Sequence, residues 1–338
     1  MSLLDRPLTF VLPADLEAHE PAEVRGSGRD DVRLLVSDRA TGTMTHARFR
    51  DLPHFLEPGD LLVVNTSGTL PAEIPAQRAE GTTFPLRLST RLASDVWSAE
   101  PRDIKPDPDE VVSLPGGASA RFLSSYSGSA RLWTVRIAGP DNIIGFLLAH
   151  GRPIRYPYVP RSWPLDAYQT VFTEELGSAE MPSAARPFTA EIVRTLERKG
   201  SGIARIRLHC GVSSLESHEL PYPEPYQVSA ETADAINGTH AAGHRVIAIG
   251  TTVVRTLETV AEDDGTVHAG AGWTDLVVTG ERPVHAVDGL LTGFHEAEAT
   301  HLSMLQAIAD RAHIAAAYEA ALECRYLWHE FGDVHLIL

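Results

Sequence analysis

The pattern of hydrophobic and polar positions changes character twice along the chain. Before residue 72, "VRLLVSD" (32–38) predicts a strand, and "LEPGDLLVVN" (56–65) predicts a turn followed by a strand buried on both faces. From 72 to 142, short strand-like runs alternate with turns rich in Pro, Gly, Asp and Ser, which is typical of a small β-barrel or sandwich. After a predicted helix at 142–151, helices and strands alternate. This last pattern indicates an α/β layer structure.

The second half carries clear boundary signals. Thr189 can cap a helix that stops at Gly200, and Ser229 can cap another. Between them, 203–210 alternates apolar and charged residues, as a strand with one exposed face does. A strand "RVIAIG", a helix "VVRTLETVAE", a strand "TDLVVTG", two helices at roughly 299–310 and 312–326 and a terminal strand "VHLIL" follow. The sequence therefore predicts an α/β main domain (1–71 plus 143–338) with an inserted, barrel-like all-β domain (72–142).

Composition narrows the class of protein. The 338 residues carry a formal net charge of −16, which argues against non-specific nucleic-acid binding through the overall field. Two distant cysteines cannot build a disulfide framework or a thiolate zinc site. No apolar run approaches the ~18–20 residues of a membrane span, and the N-terminus lacks the features of a signal peptide. We expect a cytoplasmic protein without a membrane partner; its oligomeric state stays open.

Several common chemistries do not fit the motifs. In "HEAEATH" (295–301) the histidines are six apart, whereas chelation from one helix face needs a spacing of four, so we expect no metal site and a role in capping or solvent contact. Dinucleotide-binding, P-loop and Gly-x-Ser-x-Gly patterns are absent. Cys210 lacks a visible paired base, which favours a structural role. His209 ends a predicted strand, where ligands gather in α/β sheets, and is as consistent with catalysis as with a bonded structural histidine.

The stretch "VIAIGTTVVRTLE" (246–258) is the best local candidate for a binding site. A strand ends in Gly250, Thr251 and Thr252, and the free amides of the following helix suit an anion. Arg255 lies early in that helix, where a cation is disfavoured by roughly 0.3–1 kcal/mol unless a carboxylate or a bound anion offsets it. Ordinary capping, with Arg255 paired to Glu258, is the alternative.

The motifs together resemble those of the S-adenosylmethionine:tRNA ribosyltransferase-isomerase family of queuosine biosynthesis. The matching segments run the length of the chain: "FRDLPHFLEPGDLLVVN", "YPYVPR", "YQTVF", "RIRLHCG", "AINGTHAAGHRVIAIGTTVVRTLET", "GWTDLVV", "VDGLLTGFH" and "FGDVHLIL". The resemblance implies an α/β domain with an inserted β-barrel. It also implies that S-adenosylmethionine is the co-substrate and donates its ribosyl carbons to a deazaguanine in tRNA, with release of adenine and methionine.

The resemblance also implies roles for particular residues. Such a reaction needs a base, a proton donor near the departing adenine, and anchors for the methionine zwitterion. The Gly-Thr-Thr turn with Arg255 is the expected carboxylate anchor, and Arg255→Ala should weaken ligand binding by about 1.5–3 kcal/mol. The proton-transfer candidates are His209 and Glu224; the expected substrate-binding residues within the matching motifs are Asn65, Tyr226, Phe294 and His295.

This chain departs from the family pattern at polar and basic positions. Positions at which the family holds Arg or His are here Gly68, Glu73, Pro187, Tyr222 and Glu298. Each lost phosphate contact removes a counterion-release contribution, so we expect weak, nearly salt-insensitive tRNA binding. Two alternatives to the tRNA enzyme follow. One is a divergent paralogue that uses S-adenosylmethionine or a related nucleoside on a small acceptor; the other is a non-catalytic binding protein.

Overall fold

The computed structural model describes residues 8–212, 221–297 and 299–338, and its largest element is a nine-stranded mixed sheet. The strand order is β15-β13-β12-β3-β14-β16-β17-β1-β2. The strands are β1 (Arg33–Ser37), β2 (Met44–Arg48), β3 (Leu61–Asn65), β12 (Gly202–Leu208), β13 (Glu224–Val228), β14 (Val246–Ile249), β15 (Gly270–Thr274), β16 (Gly289–Gly293) and β17 (Val334–Ile337). Strands β12, β3, β14 and β16 are mutually parallel. Strand β3 is buried along its whole length, as its continuous apolar run predicts.

The second unit is a closed six-stranded antiparallel barrel in the order β10-β7-β6-β5-β8-β9. Its strands are β5 (Glu73–Gln77), β6 (Thr83–Arg91), β7 (Val96–Pro101), β8 (Val111–Ser113), β9 (Ser119–Ser125) and β10 (Trp133–Ala138). Two further strands, β4 (Ser67–Thr69) and β11 (Glu175–Ser178), pair in parallel next to it. The predicted fold class, an α/β body with a barrel inserted in it, is confirmed; the exact domain limits at 71/72 and 142/143 stay a prediction.

Helices cover the sheet and one helix packs on the barrel. They are α1 (Ala22–Arg25), α2 (Ile143–His150), α3 (Ala190–Lys199), α4 (Ala230–Ala241), α5 (Thr251–Val260), α6 (Thr300–Ile308) and α7 (Arg311–Glu323). The predicted caps are present: the side chains of Thr189 and Ser229 accept from Ile192 and Thr232 amides, and Gly200 ends α3 in the left-handed conformation.

Separate hydrophobic cores support the two units. One large cluster lies on one face of the sheet beneath α4 to α7, another lies on the opposite face beneath α3, and a third fills the barrel and includes Ile143 and Leu147 of α2.

The strand predicted at 274–280 is wrong, because β15 ends at Thr274 and 275–279 have no regular structure. Within the described residues, no helix is both long and apolar enough to span a membrane.

Candidate functional site

A cavity of about 340 Å³ lies where the sheet, the barrel and the loop before α3 meet. Because β12, β14 and β16 run in parallel, their carboxyl ends reach the same edge of the sheet. The segments that follow these ends line the cavity: 210–212 after β12, 250–252 after β14 and 294–296 after β16. The barrel reaches the cavity through Ser89, whose hydroxyl accepts from the Val212 amide at 2.8 Å. The cavity therefore occupies the position where ligands bind in open α/β sheets.

The N-terminus of α5 forms one wall of this cavity. Gly250 precedes the helix with φ +96°, a conformation that favours glycine. Within the part of the chain that the structure describes, no backbone carbonyl accepts from the amides of Thr251 and Thr252. Both residues line the cavity. Two free amides at the positive end of a ten-residue helix can bind a carboxylate or another small anion.

Arg255 lies one turn into α5 and is 6% exposed. Its guanidinium donates to Glu224 Oε2 at 2.5 Å and to the carbonyl oxygens of Leu276, Tyr222 and Thr274 at 3.0, 2.8 and 2.9 Å. A neighbouring carboxylate therefore offsets the unfavourable position of this cation. The alternative pairing with Glu258 does not occur, because Glu258 accepts instead from the amides of His285 and Ala286.

Glu224 begins β13 and lines the cavity beside Arg255. Its Oε1 accepts from the Gly211 amide at 2.6 Å, while Oε2 holds the guanidinium. Burial raises the pKa of Glu224, and the positive charge of Arg255 opposes that shift. Both carboxylate oxygens are thus engaged, which suits a brace for the cavity wall better than a mobile proton carrier.

Three aromatic rings form another wall that the sequence analysis missed. Tyr156 and Tyr158 stack at 5.7 Å between centroids with a 14° interplanar angle, and His329 stacks on Tyr158 at 3.9 Å and 10°. The two tyrosine hydroxyls donate to carboxylates, Tyr156 to Glu180 and Tyr158 to Glu330. Burial raises the pKa of Glu330 to about 7. The segment "YPYVPR" carried a family resemblance, but nothing in its spacing indicated that its rings meet residues 329 and 330 from the other end of the chain.

Two further histidines, His295 and His301, lie at the cavity with their rings stacked at 4.6 Å and 7°. Burial lowers the pKa of both, to about 4 for His301. The two rings stack on each other at the cavity, in place of the expected capping or solvent contact. The spacing argument against a metal site assumed a continuous helix, whereas α6 begins only at Thr300. Among the described residues, no group of three or more His, Cys, Asp or Glu side chains could hold a metal ion.

The structure brings together seven of the ten site residues predicted from sequence: Glu224, Gly250, Thr251, Thr252, Arg255, Phe294 and His295 all line the cavity. The other three lie elsewhere. Asn65 is buried and bridges strands, since its side chain bonds the backbone of Leu208 in both directions. Tyr226 packs against the sheet core on β13. His209 Nδ1 lies 2.7 Å from Ser67 Oγ, next to but not lining the cavity. Burial lowers the pKa of His209.

The structure describes the surroundings of four of the five positions that depart from the family pattern. A Cβ on Gly68 would come within 2.5 Å of Thr173 Cγ2, so the Thr173 side chain would have to shift to admit one. Glu73 is buried and pairs with Arg87 and Arg152, both at 2.7 Å. Pro187 is buried, and Tyr222 lines the cavity. Glu298 lies outside the described residues.

Comparisons with known proteins identify the family. The family model described as "Queuosine biosynthesis protein" matches residues 6–337. The chain is 37% identical to the S-adenosylmethionine:tRNA ribosyltransferase-isomerase of Moorella thermoacetica and 36% to that of Heliobacterium modesticaldum, in each case over 97% of this chain and 98% of the relative. The crystal structure of the S-adenosylmethionine tRNA ribosyltransferase of Thermotoga maritima matches with a TM-score of 0.56 and 30% identity, covering 97% of this chain and 99% of that one. The chain belongs to the queuosine biosynthesis protein family, whose named relatives are ribosyltransferase-isomerases.

Proposed function

We propose that this protein is an S-adenosylmethionine-dependent ribosyltransferase-isomerase of the queuosine-pathway type. It transfers the ribosyl moiety of S-adenosylmethionine to an acceptor amine and releases adenine and methionine. Family membership supports the reaction, and the cavity supports the donor. A volume of about 340 Å³ lies within the range of roughly 300–1,000 Å³ that is usual for small-ligand sites.

The charge of the cavity lining carries the proposal. Among the described lining residues, four carboxyl groups face one guanidinium, and three of them still outnumber it when Glu330 is protonated; they are Glu180, Glu224, Glu296 and Glu330 against Arg255. S-Adenosylmethionine bears a sulfonium and an ammonium but only one carboxylate, so its net charge of about +1 complements this lining. A phosphate-rich ligand would meet repulsion in the same space. The cavity therefore suits a small cation with one anionic end.

The free amides of α5 provide the place for that anionic end. The methionine carboxylate accepts from the amides of Thr251 and Thr252, and Arg255 with Glu224 braces this wall from behind. Anchoring the carboxylate here leaves the sulfonium and the adenine toward the cavity carboxylates and aromatic rings. There, a proton next to the sulfonium is removed and the leaving adenine takes one up.

Release of adenine tests the proposal. The protein should release adenine from S-adenosylmethionine when supplied with tRNA that carries an aminomethyl-deazaguanine. Binding of the donor alone, measured by calorimetry without adenine release from any acceptor, would instead identify a non-catalytic binding protein.

The substitution Thr251→Pro examines the anchor directly. Proline is tolerated at the first position of a helix, so this change removes one amide donor and leaves α5 intact. Donor affinity should fall roughly 10-fold, the value of one charged hydrogen bond. Thr252→Ala is the matched control, because it keeps the backbone amide and should change affinity less than 3-fold by the same reasoning. Equal effects of the two variants would contradict the amide anchor.

A small-molecule acceptor is the second candidate function, and the altered basic positions favour it. Gly68 brings no cation, and Glu73 adds a negative charge, at positions where the family holds a cation. We expect tRNA binding to be weak and to vary little with salt, because few phosphate contacts release counterions. A gel-shift titration at moderate salt checks this. Sub-micromolar binding of tRNA with a steep salt dependence would contradict the small-molecule acceptor and favour tRNA as the acceptor.

A further inference from the structure

Glu330 differs from Glu224 and Glu296, two other carboxyl groups of the cavity, in how it is held. Glu224 is bound by a guanidinium and an amide, and Glu296 is 65% exposed at its side chain. Glu330 lies among the stacked rings, and the Tyr158 hydroxyl donates a hydrogen bond to its carboxylate. Among the described residues no Lys, Arg or His nitrogen lies within ion-pair distance of its carboxylate. A carboxyl group held in this way can exchange a proton without breaking an ion pair.

The surroundings of Glu330 favour the protonated form near neutral pH. Burial is the dominant cause that raises its pKa to about 7; Glu180 acts in the same direction, while the Tyr158 hydroxyl and Arg186 act against it. The titratable groups around it are Tyr156, Tyr158, Tyr168, Glu180, Arg186 and His329. Arg186 stays bound to Glu23 and to the Ala167 carbonyl, so it does not neutralise Glu330 directly.

The rings beside Glu330 indicate what a ligand would present to it. Tyr156, Tyr158 and His329 form a stacked set, and stacking of a base on aromatic side chains contributes about 1–3 kcal/mol. This wall therefore suits the purine end of the donor, while the amides of α5 suit its carboxylate end. A purine held against these rings would have its ring nitrogens close to the carboxyl group of Glu330.

We propose that Glu330 is the catalytic acid that protonates the departing adenine, a role that rests on the proposed function. The bond between the ribosyl carbon and the adenine nitrogen breaks, and its electron pair passes to the purine. The purine ring takes the proton of the Glu330 carboxyl group, leaving a carboxylate that Tyr158 stabilises through its hydroxyl. A proton from solvent restores the acid after adenine leaves.

The test compares Glu330→Gln with the wild type in single-turnover release of adenine at saturating donor and acceptor. Glutamine keeps the size and accepts from Tyr158 but cannot give a proton. Release should slow roughly 100-fold, within the range for loss of a general acid. Donor affinity by calorimetry should change less than about 3-fold, since the carboxylate anchor is elsewhere. Glu323→Gln makes the same substitution at the exposed end of α7 and serves as the control.

The pH profile separates an acid from a structural group. Wild-type release should fall as pH rises above about 7, where Glu330 loses its proton, and Glu330→Gln should lack this decline. Tyr158→Phe provides a second variant in case the first does not fold. The Tyr158 hydroxyl stabilises the carboxylate form of Glu330. Its removal should therefore move the midpoint of the decline in adenine release to higher pH by roughly 0.5–1 unit, the equivalent of one neutral hydrogen bond.

Distinct outcomes overturn the proposal and the function beneath it. Release by Glu330→Gln within 3-fold of wild type, or an unchanged decline with pH in either variant, would overturn the role of Glu330 and leave the proposed function standing. Loss of donor affinity in parallel with loss of release would also overturn it, in favour of a binding role. A wild-type protein that binds the donor but releases no adenine from any acceptor would refute the proposed function itself.

Discussion

The buried charges of the barrel and those of the cavity follow opposite arrangements. In the barrel, Glu73 and Glu100 are 5% and 1% exposed, and each is held by guanidinium groups. Glu100 receives Arg102 at 3.0 Å and Arg131 at 2.9 Å in addition to Arg87. In the cavity, Glu330 receives the hydroxyl group of Tyr158 instead.

The difference teaches which buried carboxylates are fit for chemistry. A guanidinium remains charged at every accessible pH, so it fixes its partner as a carboxylate and the pair becomes part of the framework. A phenol donates a hydrogen bond but brings no charge, which leaves the proton affinity of the carboxylate adjustable by burial. The barrel network therefore holds the inserted unit together, and Glu330 of the cavity can gain and lose a proton during a reaction.

The substitution Arg255→Ala should have the largest effect. Arg255 lines the cavity, but its guanidinium is paired with a carboxylate, as the guanidinium groups of the barrel are. Its removal leaves Glu224 without its cationic partner, with only the Gly211 amide as donor, and removes the donor that binds three carbonyl oxygens. The free energy of unfolding should fall by about 3–5 kcal/mol. Denaturant titration measures this, with the exposed Arg282→Ala as a control that should cost about 0.5 kcal/mol or less. A stable variant that has lost only donor affinity would restore Arg255 as a direct anchor.

Glu73→Ala probes the barrel network. Glu73 joins β6 to the segment after α2 through Arg87 and Arg152. Arg87 is 7% exposed and after the change keeps Glu100, at 3.4 Å, as its carboxylate partner and the Arg155 carbonyl, at 3.1 Å, as a neutral acceptor, so the free energy of unfolding should fall by about 2–4 kcal/mol. The other partner of Glu73 is Arg152, and the Arg152 side chain is 60% exposed. Arg152→Ala should therefore lower the free energy of unfolding by about 1 kcal/mol or less. Equal costs for both would contradict a network centred on buried charge.

Glu330→Gln should change how stability depends on pH. The unfolded group ionises near its ordinary pKa of 4.5, whereas the folded group keeps its proton up to about 7. Its contribution to stability is therefore fully present below pH 4.5 and is lost as pH rises through 7. Relative to wild type, the variant should gain roughly 1–3 kcal/mol between pH 4.5 and pH 8. Unfolding titrations at both pH values measure the gain, and Glu323→Gln should show none. If the free energies of unfolding of wild type and Glu330→Gln changed with pH in parallel, folding would not raise the pKa of Glu330 and the prediction would be wrong.

Local signals in the sequence predicted many elements correctly. Thr189, Ser229 and Gly200 mark helix boundaries because capping depends on residues a few positions apart. The strand predicted at 274–280 failed for a related reason. "DLVV" has the composition of a strand, but the carbonyls of Thr274 and Leu276 bond the Arg255 guanidinium, and the chain leaves the sheet at Thr274.

The candidate site was predictable only where it lies on one continuous stretch. Gly250 to Thr252 could be found because a strand, a turn and a helix follow one another there. The carboxylate partner of Arg255 could not be found, since Glu224 lies on β13, 31 positions before Arg255 of α5. Asn65 was chosen from a family motif and His209 first from its place at the end of a predicted strand, yet their hydrogen bonds within the sheet edge explain their presence without contact to the cavity.

The sequence by itself determined the family, the succession of elements and the boundaries that short-range caps and hydrophobic periods encode. Only the tertiary structure decided which charges meet. Tyr158 and Glu330 are separated by 172 positions, and their hydrogen bond exists because the segment after α2 and the segment before β17 pack side by side. The proton affinity of a carboxyl group depends on burial and on neighbours within a few ångströms, which are properties of the packed chain and not of any local pattern.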